Sequence, residues 1–198
     1  MQERLERRTN RDRSEAMRAL LIETARKLFA EKTYAETGTP EIVAAAGVTR
    51  GALYHHFADK EALFRAVAEH EAATVAAEIE RAAPDGLGPR EALLAGSQAY
   101  LEAMRAPGRT RLLLLDGPAV LGRAGMDEID GRHGNRTLRE GLAIAMRAGA
   151  MQRLPLAALT SQLAAAFDRA ALAVDAGSAM ADQMEVVTAL IDGLMLDA

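Results

Sequence analysis

The chain has 198 residues, a formal charge of −4, 49% hydrophobic residues and no cysteine. That length admits one or two domains with a core that needs no covalent staples, and the lack of cysteine excludes disulfides and thiolate metal sites. No apolar run approaches the ~20 residues needed to span a bilayer, and the stretch Met1 to Arg18 is charged throughout, unlike a signal peptide. The expectation is a cytoplasmic protein with no membrane partner.

Alanine and leucine abound, β-branched residues are sparse and strand-like alternation is hard to find, so the composition predicts an all-α fold. Charge is uneven. Residues 1–60 carry 11 Lys/Arg against 9 Asp/Glu, and residues 61–198 carry 13 against 19, so a head of net +2 precedes a body of net −6. A head of that sign tolerates DNA where the acidic body does not. Aromatics follow the same division: Phe29, Tyr34, Tyr54, Phe57 and Phe64 cluster early, and only Tyr100 and Phe167 follow. Bulky side chains so concentrated mark a compact N-terminal unit.

The opening segment interleaves Arg4, Arg7, Arg8, Arg11 and Arg13 with acids and reads either as a solvated terminus or as a basic arm. From about Ser14 to Glu31, Met17, Leu20, Leu21, Thr24, Leu28 and Phe29 recur at helical spacing on one face. Lys32-Thr33-Tyr34 should end that helix. Pro40 suits the first turn of the next one, capped by Gly38 or Thr39, with Ile42, Val43, Ala45 and Ala46 on its buried side. Gly47 should stop it in a left-handed conformation. Thr49 then caps a third helix, in which Leu53 and Phe57 point inward and Arg50, Gly51, Tyr54 and His55 stay outside. Two short helices about a glycine turn are the local grammar of a helix-turn-helix, whose second helix enters the major groove.

Asp59 is a good cap for a long helix from Lys60 to about Arg81, with apolar stripes on two sides. Lysine at a helix start opposes the helix dipole, which suits a nearby DNA phosphate. The run Ala83 to Pro89 reads as a linker. A helix from Arg90 to Met104 turns Leu93, Ser97, Tyr100, Leu101 and Met104 inward. Thr110 to Leu115 is helical, and the four-glycine region Gly122 to Gly134 reads as a poorly ordered helix start. A further helix spans Asn135 to Ala148. Pro155 opens the penultimate helix and Ser178 caps the last. Their stripes, Leu156, Leu159, Leu163 and Phe167 in one and Val187, Ile191 and Leu194 in the other, suggest a symmetric four-helix interface between two copies.

Residues 25–32 (ARKLFAEK), 42–57 (IVAAAGVTRGALYHHF) and 59–63 (DKEAL) resemble TetR/AcrR-family transcriptional regulators, a likeness that covers roughly residues 20–67. The resemblance implies an all-α homodimer: a three-helix DNA-binding domain (1–60) and a helical effector-binding and dimerisation domain (61–198). It further implies a repressor that holds a palindromic double-stranded DNA operator until a small molecule occupies the body. Matched to the family's pattern, Thr49 and Tyr54 would hold phosphates, Arg50 and His55 would approach base edges or backbone, Gly51 would admit close groove contact, and Lys60 would reach a flanking phosphate. Two positions depart from that pattern. Thr33 stands where glycine is usual, and a left-handed conformation there costs a residue with a Cβ about 1–2 kcal/mol. Gly38 stands where a hydroxyl is usual, with Thr37 and Thr39 as candidates to replace its phosphate contact.

An effector cavity is expected between the body helices, with Tyr100, Met104, Leu113, Val120, Met146 and Phe167 as lining candidates. Such a wall, rich in Met and Leu, favours a hydrophobic effector. The alternative is a DNA binder of the same fold controlled by a partner, or by nothing. No cofactor, metal site or catalytic set is expected: adjacent His55 and His56 point ~100° apart on a helix, no Ser-His-Asp order stands out, and no glycine-rich phosphate loop precedes a helix.

Overall fold

The computed structural model describes residues 2–84 and 86–196, with the side chains of residues 2–10 outside the description. Its helices are α1 (Gln2–Glu31), α2 (Thr39–Ala46), α3 (Arg50–His56), α4 (Lys60–Ala82), α5 (Pro89–Met104), a single turn α6 (Arg109–Arg111), a π-helical segment (Leu112–Asp116), α7 (Gly117–Arg132), α8 (Gly134–Arg147), α9 (Leu156–Asp175) and α10 (Met180–Asp192). Among the described residues the extended pairing is one isolated bridge, Met151 to Met195. The fold is all-α, as expected. No helix of the described residues is long and apolar enough to cross a membrane.

Two compact units divide the chain at Met1–Glu69 and His70–Ala198. In the first, Leu21, Ala25 and Phe29 of α1, Ile42 of α2, Leu53 of α3 and Leu63, Phe64 and Val67 of α4 are fully buried. Phe29, Tyr34 and Phe64 form a mutual ring cluster with centroids 5.0–5.7 Å apart, which explains why the early aromatics fall so close in sequence. Helix α1 begins at Gln2, well before the expected Ser14, so the arginine-rich opening is helical; Arg4, Arg7 and Arg8 lie among the side chains outside the description. Ala45 is exposed rather than buried, because α2 inserts only Ile42 fully into the core.

The second unit packs α5, α8, α9 and α10 around one apolar cluster. Polar ties join its helices as well. Arg109 is buried and donates to Glu71 (2.8 Å) and to the Ala103 carbonyl (2.6 Å), joining α4, α5 and α6. Arg90 makes a two-pronged contact to Asp192 (2.7 and 2.9 Å) between α5 and α10.

Three expectations need correction in this unit. The four-glycine region is helical: α7 runs through it, broken only at Gly122, whose φ of +70° and ψ of 166° leave the helical region. Ser178 does not cap α10, whose N-cap is Ala179 with no side-chain bond. Most consequential is the supposed dimer seam. Leu163, Phe167, Val187 and Ile191 are buried in the unit's own core with Leu93, Leu142, Ala145 and Met151, and Leu156, Leu159 and Leu194 pack against them. Those stripes face α5 and α8 of the same chain. The large apolar side chains that α10 leaves outside are Val186 and Leu190, 60% and 45% exposed.

Candidate functional site

Helix α2 starts at Gly38, whose extended backbone (φ −94°, ψ 149°) offers its carbonyl to the Glu41 and Ile42 amides (3.1 and 3.2 Å) with no side-chain cap. It ends at Gly47, left-handed at φ +66°, with the Gly47 amide on Ala44 and the Val48 amide on Val43. Only glycine takes that conformation without a Cβ penalty. Thr49 caps α3 by accepting the Ala52 amide at 3.2 Å. Leu53 and Phe57 anchor α3 from one side, which fixes the opposite face.

That face carries Thr49, Arg50, Gly51, Tyr54 and His55, all exposed. The Arg50 guanidinium lies over the Tyr54 ring, 5.3 Å from its centroid. Hydrogen bonding with the Thr39 side chain, and next with Arg50, lowers the Tyr54 hydroxyl's pKa below its ordinary value. Thr39 from α2 and Arg50 and Tyr54 from α3 therefore form one polar group across the turn, a guanidinium and two hydroxyls. A Cβ built on Gly51 would meet only Thr49 Oγ1, at an ordinary 3.8 Å. Nothing within the protomer demands glycine there.

Lys60 is placed differently from the sequence expectation. Its ammonium donates to the Tyr34 carbonyl (2.8 Å) and the Thr37 carbonyl (3.0 Å) and sits 4.0 Å from the Tyr34 ring centroid. Two carbonyl oxygens and a ring face solvate the charge locally, so the lysine needs no anion to justify it at the start of α4. It pins the loop between α1 and α2. The same loop holds Thr33 at φ +145°, the one non-glycine residue with positive φ among those described. Its hydroxyl accepts the Glu36 amide at 3.2 Å and partly offsets the strain. Thr37 is fully buried, donating to the Thr33 carbonyl at 2.7 Å, which leaves Thr39 as the hydroxyl that faces outward.

The second unit holds a cavity of about 270 Å³. Tyr100, Met104, Leu113 and Phe167 line it, as the sequence suggested; Val120 and Met146 do not. Met146 lies two residues beyond Ile144, which faces the cavity, so it points ~200° away and packs on the apolar cluster instead. Val120 is half-buried on α7, and the break at Gly122 follows two residues later. The π-helical segment, with one extra residue in its turn, brings both Leu113 and Leu114 to the wall. Gly96 and Gly141 are wall residues too, each within 3.4 Å of a neighbouring side chain if given a Cβ.

Sequence reasoning missed the polar end of this cavity. Asp130 of α7 and Asp168 of α9 both line it. The Tyr100 hydroxyl donates to Asp168 at 2.6 Å. Burial, then the neighbouring charges of Asp168 and Asp127, raises Asp130 to about 7 against a partial opposing pull from Arg123. Burial likewise raises Asp168, opposed by the Tyr100 bond and Arg123, and burial followed by Asp168 pushes Tyr100 well above its ordinary value. The available signal was a lone aspartate inside an alanine- and leucine-rich helix, directly after Phe167.

An exposed polar helix presented by a glycine turn, joined in sequence to a cavity-bearing helical unit, defines a helix-turn-helix DNA-binding regulator. The comparisons agree. Residues 21–67 match the domain described as bacterial regulatory proteins, tetR family, and residues 90–196 match the tetracyclin repressor-like C-terminal domain. The HTH-type transcriptional repressor Rv1474c of Mycobacterium tuberculosis is 39% identical over 70 residues, which cover 35% of this chain and 37% of that protein. The repressor AcnR of Corynebacterium efficiens is 45% identical over 56 residues, 28% of this chain and 30% of that one. The match thus spans about a third of each curated relative's length. The crystal structure of a TetR-family transcriptional regulator from Pectobacterium atrosepticum superposes with a TM-score of 0.74 at 30% identity, covering 94% of this chain and 98% of that one. The chain belongs to the TetR family of bacterial regulatory proteins.

Proposed function

We propose that this protein is a cytoplasmic homodimeric transcriptional repressor. It holds a palindromic DNA operator through the outer face of α3 and lets go when a small, largely apolar molecule fills the cavity of its second unit. The observation that carries the reading is the exposed group Thr49, Arg50, Gly51, Tyr54 and His55 on a helix whose other face is locked by Leu53 and Phe57, with the half-buried Thr39 beside it at the start of α2. Hydroxyls and a guanidinium suit phosphate and base edges, and an unneeded glycine between them suits close approach to a groove. Lys60 has one ammonium hydrogen left and contributes to DNA contact mainly by fixing the loop before α2.

The dimer forms through the outer face of α10, where Val186, Ala189 and Leu190 are exposed, together with Ala158 and Ala165 on the exposed side of α9. Small residues allow close helix approach, and a self-complementary patch closes a two-fold. Release follows from the course of α4. Ala72, Val75 and Ile79 of that helix line the cavity, and the same helix begins at Lys60, which ties the loop leading into α2.

The test is a mobility shift with DNA from upstream of the protein's own gene. Wild type is expected to shift it, and Arg50→Ala to weaken specific binding by about 1–3 kcal/mol. An Arg50→Ala protein that binds with unchanged affinity would remove α3 from the interface.

A further inference from the structure

The wall of the cavity has an unbalanced chemistry. Among the described residues four carboxylates line it, Glu80, Asp130, Glu140 and Asp168, and no lysine, arginine or histidine does. Two of the four share one counter-charge: Arg136 donates to Glu80 at 2.6 Å and lies 3.2 Å from a Glu140 oxygen. Asp130 and Asp168 have no ion-pair partner among the described residues. Arg123 is the nearest source of positive charge, but its side chain is exposed and its close contact is to Asp127 at 3.8 Å. Beside this acidic end stand two aromatic rings, Tyr100 and Phe167, with centroids 6.2 Å apart and planes tilted by 43°. The rest of the wall is mostly aliphatic, Val75, Ile79, Leu93, Leu113, Leu138 and Ile144 among others, with Ser97, Asn135 and Thr137 as neutral polar members.

Acidic and aromatic groups around one void, with basic groups absent from its wall, select for positive charge. A carboxylate pair removed from water is costly until a cation compensates it, and ring faces attract the same cation. An anion would meet only repulsion, and a neutral hydrocarbon would leave the carboxylates uncompensated. We propose that the cavity takes a cationic amphiphile, an amine or quaternary ammonium group on a short aromatic or aliphatic body, with its charge at Asp130 and Asp168 and its body against the aliphatic wall. The inference rests on the reading of this cavity as the effector site and adds the class of ligand. The volume, near the low end of the ~300–1,000 Å³ common for small-molecule sites, fits a single-ring or short-chain amine.

The experiment is calorimetric titration of the full chain with phenethylamine, phenethyl alcohol and hydrocinnamate near pH 8, where Asp130 is mostly ionised. The amine is expected to bind at least about tenfold more tightly than the alcohol, with hydrocinnamate weakest. Asp168→Asn should erase the amine's advantage and leave the alcohol's affinity unchanged. Asp130→Asn is read the same way if the first variant does not fold. Lowering the pH below the Asp130 value should weaken the amine and spare the alcohol. Alcohol or hydrocinnamate binding as tightly as the amine would overturn the charge assignment and leave the cavity a ligand site. Binding by none of the three would overturn both the proposal and the effector reading beneath it.

Discussion

The inner and outer faces of the α9–α10 pair make opposite demands on a charged substitution. Leu163 of α9 is 7% exposed and packs with Val187 and Ile191 of α10 inside one unit. Leu163→Glu forfeits roughly 1.5–3 kcal/mol of apolar burial and strands a carboxylate at a cost of several more. That sum rivals the ~5–15 kcal/mol of a whole domain, so the variant should lose its cooperative melt. Val186 is 60% exposed, and Val186→Glu should change protomer stability by no more than about 0.5 kcal/mol. Across a two-fold the same change removes two valines, about 1 kcal/mol each at that exposure, and sets two carboxylates in the seam. A loss of about 4 kcal/mol is a roughly thousandfold rise in dimer Kd. Sedimentation velocity at micromolar protein, paired with thermal melts by circular dichroism, separates the cases. Val186→Glu is expected to be a folded monomer. A Leu163→Glu protein that is monomeric yet melts like wild type would put the seam back on the inner stripe, and a dimeric Val186→Glu would take it off α10.

Two further outcomes follow from strain and charge. Thr33→Gly should stabilise the first unit by about 0.5–1 kcal/mol, since relief of the positive φ exceeds the entropy and the Glu36 bond that glycine gives up; a lower melting temperature would mean the hydroxyl turn outweighs the strain. Asp130 stands at about 7 when folded against an ordinary 3.8, so the folded chain holds a proton there that the unfolded chain releases. Its stabilising effect is complete below about pH 4 and is lost as pH rises through 7. Asp130→Asn should therefore flatten the fall in stability over that window and melt higher than wild type near pH 8, by on the order of a few kcal/mol. Parallel pH profiles for the two proteins would show Asp130 to be solvated rather than buried.

The reading head was legible because its signals are local. Gly47 needs a left-handed turn, Thr49 needs its own third neighbour's amide, and Leu53 and Phe57 share a face by spacing alone. The intramolecular partners of Lys60 were not legible, because they are carbonyls 23 and 26 positions away, beyond the reach of helix-dipole reasoning. The dimer stripe failed for a related reason. An apolar face at helical spacing shows that something covers it, not whether the cover is the same chain. Core and proposed seam sit on adjacent faces of α10, Val187 inside and Val186 outside. The cavity's apolar lining followed from composition in four of six residues. Its acidic end did not, because Asp130 becomes unusual only when α7 runs on through a glycine-rich stretch that reads as a poorly ordered helix start, bringing it to the same cavity as Asp168 from α9. Thr33 shows the converse. The departure from the family pattern was visible in sequence, and the chain keeps the glycine conformation and bears its cost.

The central claim, two identical heads reading DNA through α3, is tested most directly by footprinting the purified protein on DNA flanking its own gene. Two protected blocks related by a palindrome are expected, their centres about one helical turn (~34–36 Å) or a multiple of it apart. A single unsymmetrical block, or no protection at any concentration that shifts unrelated DNA equally, would contradict it.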